Sequence, residues 1–441
     1  MTRLRNSERQ RLLDPDAFLW CTGIEDTFVT APWQKTGRTL DEYELTGHYD
    51  RWRDDLRLIA ELRVSAARYG IPWHRINPAR GVWDWSWADA AIDRLLELGI
   101  EPIVDLVHYG LPAWIEKAYL NPDFAERMAE YAGRAAERWR GKVFAYTPLN
   151  EPRITAWYCG RIGWWPPFGR SWKSFVTVMD GVCRGIVRTV QTLKSVDPEI
   201  LIAHVDATDL YDTDDPGLDD EAQHRQEIVF LALDLVSGRV GEGHRLRSWL
   251  SRQGLPDESL AWFSDNAVEL PLIGINLYPM FTQKRLLRSG SGRFRIAMPY
   301  ADGRLIDRLA AMYWERYHAP LFISETASVG AVKRRRAWME ESLVAVRRVR
   351  EQGIGLVGYT WWPLFALVTW AYRQGTNPPP YYLKQMGLWD LDERLNRIST
   401  ELVPVFRRHV EAGSADVGRR RSAAAETRAT RIGAASAQSV V

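Results

Sequence analysis

The sequence predicts an α/β fold, a single (β/α)8 TIM barrel with long loops on its C-terminal face. Eight short, apolar, β-prone runs alternate with segments of helical periodicity from residue 17 to residue 411. Such alternation builds parallel sheets, and eight units close one into a barrel rather than leaving it open. The length beyond the roughly 250 residues that a barrel needs falls mostly after strands, at 24–49, 151–170, 206–220 and 278–300. Loops there line the mouth of a barrel and deepen a pocket.

The strands are expected at AFLWCTG (17–23), SAARYGI (65–71), PIVDLVH (102–108), VFAYTPLN (143–150), ILIAHVD (200–206), LIGINLY (272–278), LFISE (321–325) and GLVGYTWW (355–362). Between them the period changes. Phe124, Met128, Tyr131, Ala135 and Trp139 share one face at helical spacing. Ser86 or Asp84 is placed to cap a helix carrying Ala88, Ala91, Leu95 and Leu98 inward. A last helix around 393–411 closes the cycle. Residues 1–16 read as an N-terminal extension and 17–411 as the barrel domain. From 412 the chain turns to Ala, Ser, Gly and Arg with almost no large apolar residue, which predicts a disordered tail.

Of the 441 residues, 46% are hydrophobic, enough for a large core, and the net charge of +2 gives no bias toward nucleic acid or membrane surfaces. The first 20 residues lack the apolar segment of a signal peptide, and no run is long enough to span a membrane. Cys21, Cys159 and Cys183 have neither metal-like spacing nor the pattern of a disulfide framework, so a reducing, cytoplasmic setting is expected. Tryptophan is abundant, and its 21 copies come in bursts: VWDWSW (82–87), GWWPP (163–167) and TWWPLF (360–365). Most are expected to pack the core. Some offer flat faces on which the CH-rich side of a sugar ring can lie.

Glu151 ends the fourth strand and Glu325 the seventh, so both are expected to face the barrel mouth. Two carboxylates across a cleft are the equipment for breaking a glycosidic bond. One holds a proton for the leaving oxygen, and the other is ionised to attack the anomeric carbon. Asn150, beside Glu151, has an amide for a neighbouring sugar hydroxyl. An Asn-Glu-Pro sequence also suits an ordinary turn, and a strand-end carboxylate also suits an ion pair. No His-x-His pair occurs, which argues against a metal-dependent barrel hydrolase. No metal and no cofactor are expected. The acidic stretch 206–220 lacks the ligand order of a calcium loop and reads as a solvated turn. The basic, Gly/Ser-rich stretch 283–295 reads as a mobile loop, with an anionic substrate at the rim as the alternative.

The chain resembles glycoside hydrolase family one, whose acid/base lies on strand four and whose nucleophile lies on strand seven. TPLNEP resembles the acid/base motif T-[FLM]-N-E-P, which implies that role for Glu151. FISETA resembles I-T-E-N-G, which implies Glu325 as nucleophile. ARYGIPWHRI resembles R-x-S-I-x-W-x-R-I, so Arg68 matches the arginine near the nucleophile. PIVDLVHYGLP resembles P-x-x-T-L-x-H-W-D-L-P, so His108 matches a sugar-binding histidine. IGINLYP resembles I-G-x-N-Y-Y, placing Asn276 and Tyr278, the latter on the tyrosine that orients the nucleophile. GYTWWPLFALVTW resembles G-Y-x-x-W-S-L-L-D-N-F-E-W, placing Trp362 and Trp370 on its two tryptophans. The six motifs run in order along nearly the whole barrel.

The departures concern the sugar. TGIEDTF replaces the family's Q-I-E-G, and Glu25 is the candidate to take the place of the missing glutamine. Thr369 stands where a glutamate would grip the far hydroxyls of glucose or galactose. A phosphosugar-accepting branch of the family has serine there, with a lysine and a tyrosine downstream; Thr369 and Lys384 match half of that set, while Met386 falls on the tyrosine. The resemblance therefore implies a retaining β-glycosidase acting on a small-molecule glycoside or oligosaccharide, without identifying the sugar or the oligomeric state. A transglycosidase with the same residues, a 6-phospho-β-glycosidase and a non-catalytic sugar-binding protein are the alternatives.

Overall fold

The computed structural model describes residues 18–290 and 293–413. The expected extension at 1–16 and the tail from 414 lie outside the described residues. Eight parallel strands close into a barrel in chain order: β1 Leu19–Gly23, β2 Ala66–Gly70, β3 Glu101–Asp105, β4 Ala145–Thr147, β5 Leu201–Ala207, β6 Leu272–Asn276, β7 Leu321–Thr326 and β8 Leu356–Trp361. β1 pairs with both β2 and β8, which completes the ring. Each expected strand is present. β4 is shorter than its apolar run because Pro148 has no N–H to give to a ladder. The chain past it is held by Asn150 N–H on Val107 O (2.9 Å) and Glu151 N–H on Val205 O (3.0 Å). Glu151 therefore sits in a turn anchored to the ends of β3 and β5.

Small and branched residues, among them Cys21, Ala66, Ile103, Ala145, Ala203 and Val205, together with the ring of Phe322, fill the barrel interior below the site. The helix Phe124–Arg138 buries its apolar stripe, and the VWDWSW burst packs on it: Trp83 and Trp85 stack over Tyr131, and Trp85 meets Trp139 edge-on. The helix Ser86–Glu97 buries Ala88, Ala91, Ile92 and Leu95, and Asp84 accepts from Ser86 N–H at 3.0 Å. The final helix begins at 402, later than expected, because 397–399 pairs with 389–391 as a small hairpin; it continues to 413.

Two charged loops differ from expectation. The basic stretch forms a hairpin, Gln283–Arg288 with Phe294–Ala297, and its first strand pairs in parallel with Leu210–Thr213 of the acidic stretch. Arg285 meets Asp212 and Asp214 (both 3.3 Å), and Arg288 meets Asp215 (2.7 Å). Opposite charges on two loops and buried Leu286 make one rim structure of what the sequence presented as separate solvated segments.

Candidate active site

Arg68 projects from β2 into the barrel mouth with no exposed surface. Its guanidinium donates to Glu325 Oε1 (2.7 Å), Asp105 Oδ2 (2.8 Å) and Asn150 Oδ1 (2.9 Å), and lies 4.6 Å from the Trp362 ring centroid. Tyr278 O–H donates to the other oxygen of Glu325 at 2.7 Å. Burial lifts the Glu325 carboxyl to about 8, against the pull of Arg68 and with the Glu151 charge adding to the rise.

Glu151 has left-handed backbone geometry, φ 48° and ψ 63°, immediately before Pro152. Few non-glycine residues adopt it, and such strain persists only where the surroundings over-determine it. Here the two anchoring backbone bonds and the helix Pro152–Ala156 do so. Asn276 Nδ2 donates to Glu151 Oε1 at 2.9 Å, and the Tyr109 hydroxyl donates to Oε2. Both partners are neutral, whereas Glu325 has a cation.

Asn150 links the two carboxylates. Its Oδ1 accepts from Arg68 and from Asn276 Nδ2 (3.3 Å), which leaves Nδ2 to donate to His108 Nε2 (2.9 Å) and the Tyr109 hydroxyl (3.1 Å). Asn276 is held in turn by Ser324 O–H on its Oδ1 at 2.6 Å. His108 Nδ1 lies 2.6 Å from Asp26 and 3.3 Å from Asp105. Burial works against the imidazolium, yet Asp26 and Asp105 outweigh it and raise His108 well above the ordinary histidine range. The Asn150 amide pulls the other way, since its N–H needs an acceptor at Nε2. A proton on the short Nδ1–Asp26 line meets both demands, because burial also raises Asp26, to about 6.

The strand-one departure has a steric cause. A Cβ on Gly23 would lie 2.1 Å from the Trp362 ring, so the indole fills the space of a longer side chain there. Glu25 accepts from Trp362 Nε1 (2.9 Å) and from the Thr27 hydroxyl (2.6 Å), which occupies both its oxygens. Ligand atoms of Glu25, Asp26 and His108 lie within 4.8 Å of one another, as a metal site would require. These atoms already serve Trp362, Thr27 and one another. In the other such group, Glu227, Asp234 and His244, Arg316 donates to both acids.

Around the mouth, Trp165 of the GWWPP burst is buried against Tyr109 (4.8 Å between centroids), Tyr158 (4.6 Å) and Trp370 (5.0 Å). Thr369 N–H is held by Tyr382 O (2.9 Å), and its side chain is partly open beside Trp370. One residue earlier, Val368 N–H donates to Glu42, a wholly buried carboxyl raised by burial and then by the charge of Glu25. Lys384 lies 4.8 Å from the Phe281 ring centroid and borders a groove of about 580 Å³ with Val329, Arg335 and Asp390. That groove does not include the carboxylate pair.

The structure thus joins Glu25, Arg68, His108, Asn150, Glu151, Asn276, Tyr278, Glu325 and Trp362 in one contact network. Trp370 joins through Tyr109, and the Thr369 side chain stands apart. Sequence reasoning missed Tyr109, Asp26, Asp105 and Glu42. Asp105 and Tyr109 had local signals, three residues before His108 and one after it.

A family model described as glycosyl hydrolase family 1 matches residues 21–239. The chain is 33% identical over 174 residues to a bifunctional beta-D-glucosidase/beta-D-fucosidase of Bifidobacterium breve, covering 33% of this chain and 37% of that protein. It is 26% identical over 409 residues to beta-glucosidase 47 of Arabidopsis thaliana, covering 80% and 74%. Among solved structures, a beta-glucosidase from Thermotoga maritima in complex with castanospermine superposes with a TM-score of 0.77 at 19% identity, covering 90% of this chain and 98% of that one. That likeness shows the shared barrel fold.

Proposed function

The chain belongs to glycosyl hydrolase family 1, and we propose that it hydrolyses a β-linked glycoside with retention, through Glu325 as nucleophile and Glu151 as acid/base. Glu325 attacks the anomeric carbon while Glu151 gives its proton to the leaving oxygen, forming a covalent glycosyl-enzyme. Glu151 then takes a proton from water, which attacks the same carbon and releases Glu325. No step calls for a cofactor.

The observation that carries this reading is the charge asymmetry of the pair. Glu325 receives Arg68 and Tyr278, donors that favour its ionised form. Glu151 receives only neutral partners, so the one proton that this buried carboxylate pair retains is placed on Glu151, and Arg68 and Tyr278 hold Glu325 ionised. Asn150, Trp362, Trp370, His108 and Glu25 are assigned to the sugar. Turnover of a panel of aryl β-glycosides, deoxy and phosphorylated sugars included, tests the reading. Glu325→Gln abolishes turnover, and Glu151→Ala retains it chiefly on substrates with good leaving groups. Full activity of Glu325→Gln on every glycoside that the wild type cleaves would refute it.

The glycone is one that tolerates the lack of a charged grip at 369, and the bifidobacterial relative's name, which includes a fucosidase, supports placing 6-deoxy sugars in the panel. The aromatic wall of Trp165, Tyr158 and Trp370 beside Glu151 favours a second reading, transfer of the sugar to an alcohol bound there in place of water. Product analysis with and without an added alcohol separates the two. Three free, buried cysteines support a reducing, cytoplasmic setting, and among the described residues no helix is long and apolar enough to cross a membrane.

A further inference from the structure

We infer that Tyr109 is a positioning residue that acts through Glu151, biasing it toward the ionised form that serves as base in the second half of the reaction. The inference rests on the roles proposed for Glu151 and Glu325. Tyr109 follows His108 in the loop after β3 and has left-handed backbone geometry, φ 71°, as Glu151 does. Its carbonyl accepts from the Tyr119 hydroxyl at 2.8 Å, and its ring is packed on Trp165. The hydroxyl accepts from Asn150 Nδ2 at 3.1 Å and meets Glu151 Oε2. Asn150 cannot turn its amide over, because Arg68 and Asn276 both donate to its Oδ1.

The orientation of the Tyr109 proton follows. The hydroxyl already accepts from an amide N–H, so its single proton points to Glu151. When Glu151 is ionised, Tyr109 and Asn276 supply a donor to each of its oxygens. When Glu151 is protonated, the Tyr109 proton loses its acceptor or competes with the acid proton for the same line. The hydroxyl thus helps the deglycosylation step and opposes proton delivery to the leaving group.

Other groups act on Glu151 from every side: Glu325 on β7, Tyr278 after β6, Asp206 on β5, Tyr158 in the segment after β4, and Arg68 and His108 across Asn150. They are unchanged in a Tyr109→Phe variant, which removes one oxygen and keeps the ring packing.

The test is the pH dependence of kcat and kcat/KM for wild type and Tyr109→Phe, on aryl β-glycosides with phenol and with 2,4-dinitrophenol as leaving group. The alkaline limb of kcat/KM reports loss of the acid proton. In Tyr109→Phe it moves up by about one pH unit, the size of one hydrogen bond to a charged group. On the dinitrophenyl substrate kcat and KM fall together, because the glycosyl-enzyme accumulates. A loss of activity with the limb unmoved would overturn the inference and leave Tyr109 a packing residue. Should Tyr109→Phe fail to fold, 3,5-difluorotyrosine at position 109, a stronger donor, is expected to move the limb down; an upward or absent shift would overturn the inference as well. Glu151→Gln separates the two levels. It loses the alkaline limb if Glu151 is the acid, and a retained limb would sink that assignment rather than the Tyr109 geometry.

Discussion

Arg68 Nη1 donates to Glu325 Oε1 at 2.7 Å, with almost no solvent reaching either side chain. The same guanidinium holds Asp105 and Asn150, so one cation organises three side chains from β3, the turn after β4, and β7. Arg68→Ala would leave two buried carboxylates without their cation. Its expected cost is about 3–5 kcal/mol of folding stability, measured by urea denaturation, together with loss of turnover. Arg68→Lys keeps the charge but not the fork. It is expected to fold with a smaller loss of stability and to lose about 100-fold in kcat/KM, since misplacement of the proposed nucleophile by an ångström costs about that much. Equal kinetics for Arg68→Lys and wild type would show that the fork geometry is irrelevant.

Glu325 also predicts a pH dependence of stability. Its carboxyl is raised from 4.5 to about 8 in the folded protein. Between those values the unfolded chain releases the proton and the folded one keeps it, so stability falls as pH rises and the loss is complete above about 8. Glu325→Gln removes one of the two facing carboxylates, and with it the need for the folded pair to keep that proton. Its stability relative to wild type is therefore expected to grow from pH 4.5 to pH 8, by an amount on the order of a few kcal/mol. Parallel stability curves for the two proteins across that range would contradict the raised carboxyl.

Thr369, proposed to face the far hydroxyls of the sugar, offers them no charge. A 6-deoxy glycoside is expected to be cleaved with a kcat/KM within about threefold of its parent, an energy difference under 1 kcal/mol. Thr369→Glu, facing the same partly open space, is expected to raise the preference for the hydroxylated sugar about tenfold, the order of one charge-assisted bond. Strong discrimination by the wild type would mean that another group grips that hydroxyl. Glu42, buried beside Val368, would then be the first to substitute.

The barrel could be read from the sequence because its strands are continuous apolar runs, buried on both faces, and its turns hold Gly and Pro where the period changes. The carboxylate pair was legible for the same reason, since each glutamate directly follows such a run. What escaped depends on contacts between residues far apart in the chain. Asp26 matters because β1 and β3 bring it 2.6 Å from His108, and nothing near position 26 signals that partner. Tyr109 had the look of an aromatic beside a binding histidine, and its tie to Glu151 appears only when the loops after β3 and β4 converge. The acidic and basic loops misled for a related reason. Each is polar enough to be solvated alone, and only the parallel pairing of Leu210–Thr213 with Gln283–Arg288 joins them.

In the proposed reaction Glu325 forms a covalent bond to the sugar while Glu151 handles the proton. Incubation with a 2-deoxy-2-fluoro β-glycoside bearing a dinitrophenyl leaving group, followed by peptide mass spectrometry, tests it most directly. The expected result is a single fluoroglycosyl adduct on the peptide containing Glu325, formed with one burst of dinitrophenol and absent in Glu325→Gln. Turnover of ordinary β-glycosides without any adduct, and with the α-anomer as first product, would contradict it.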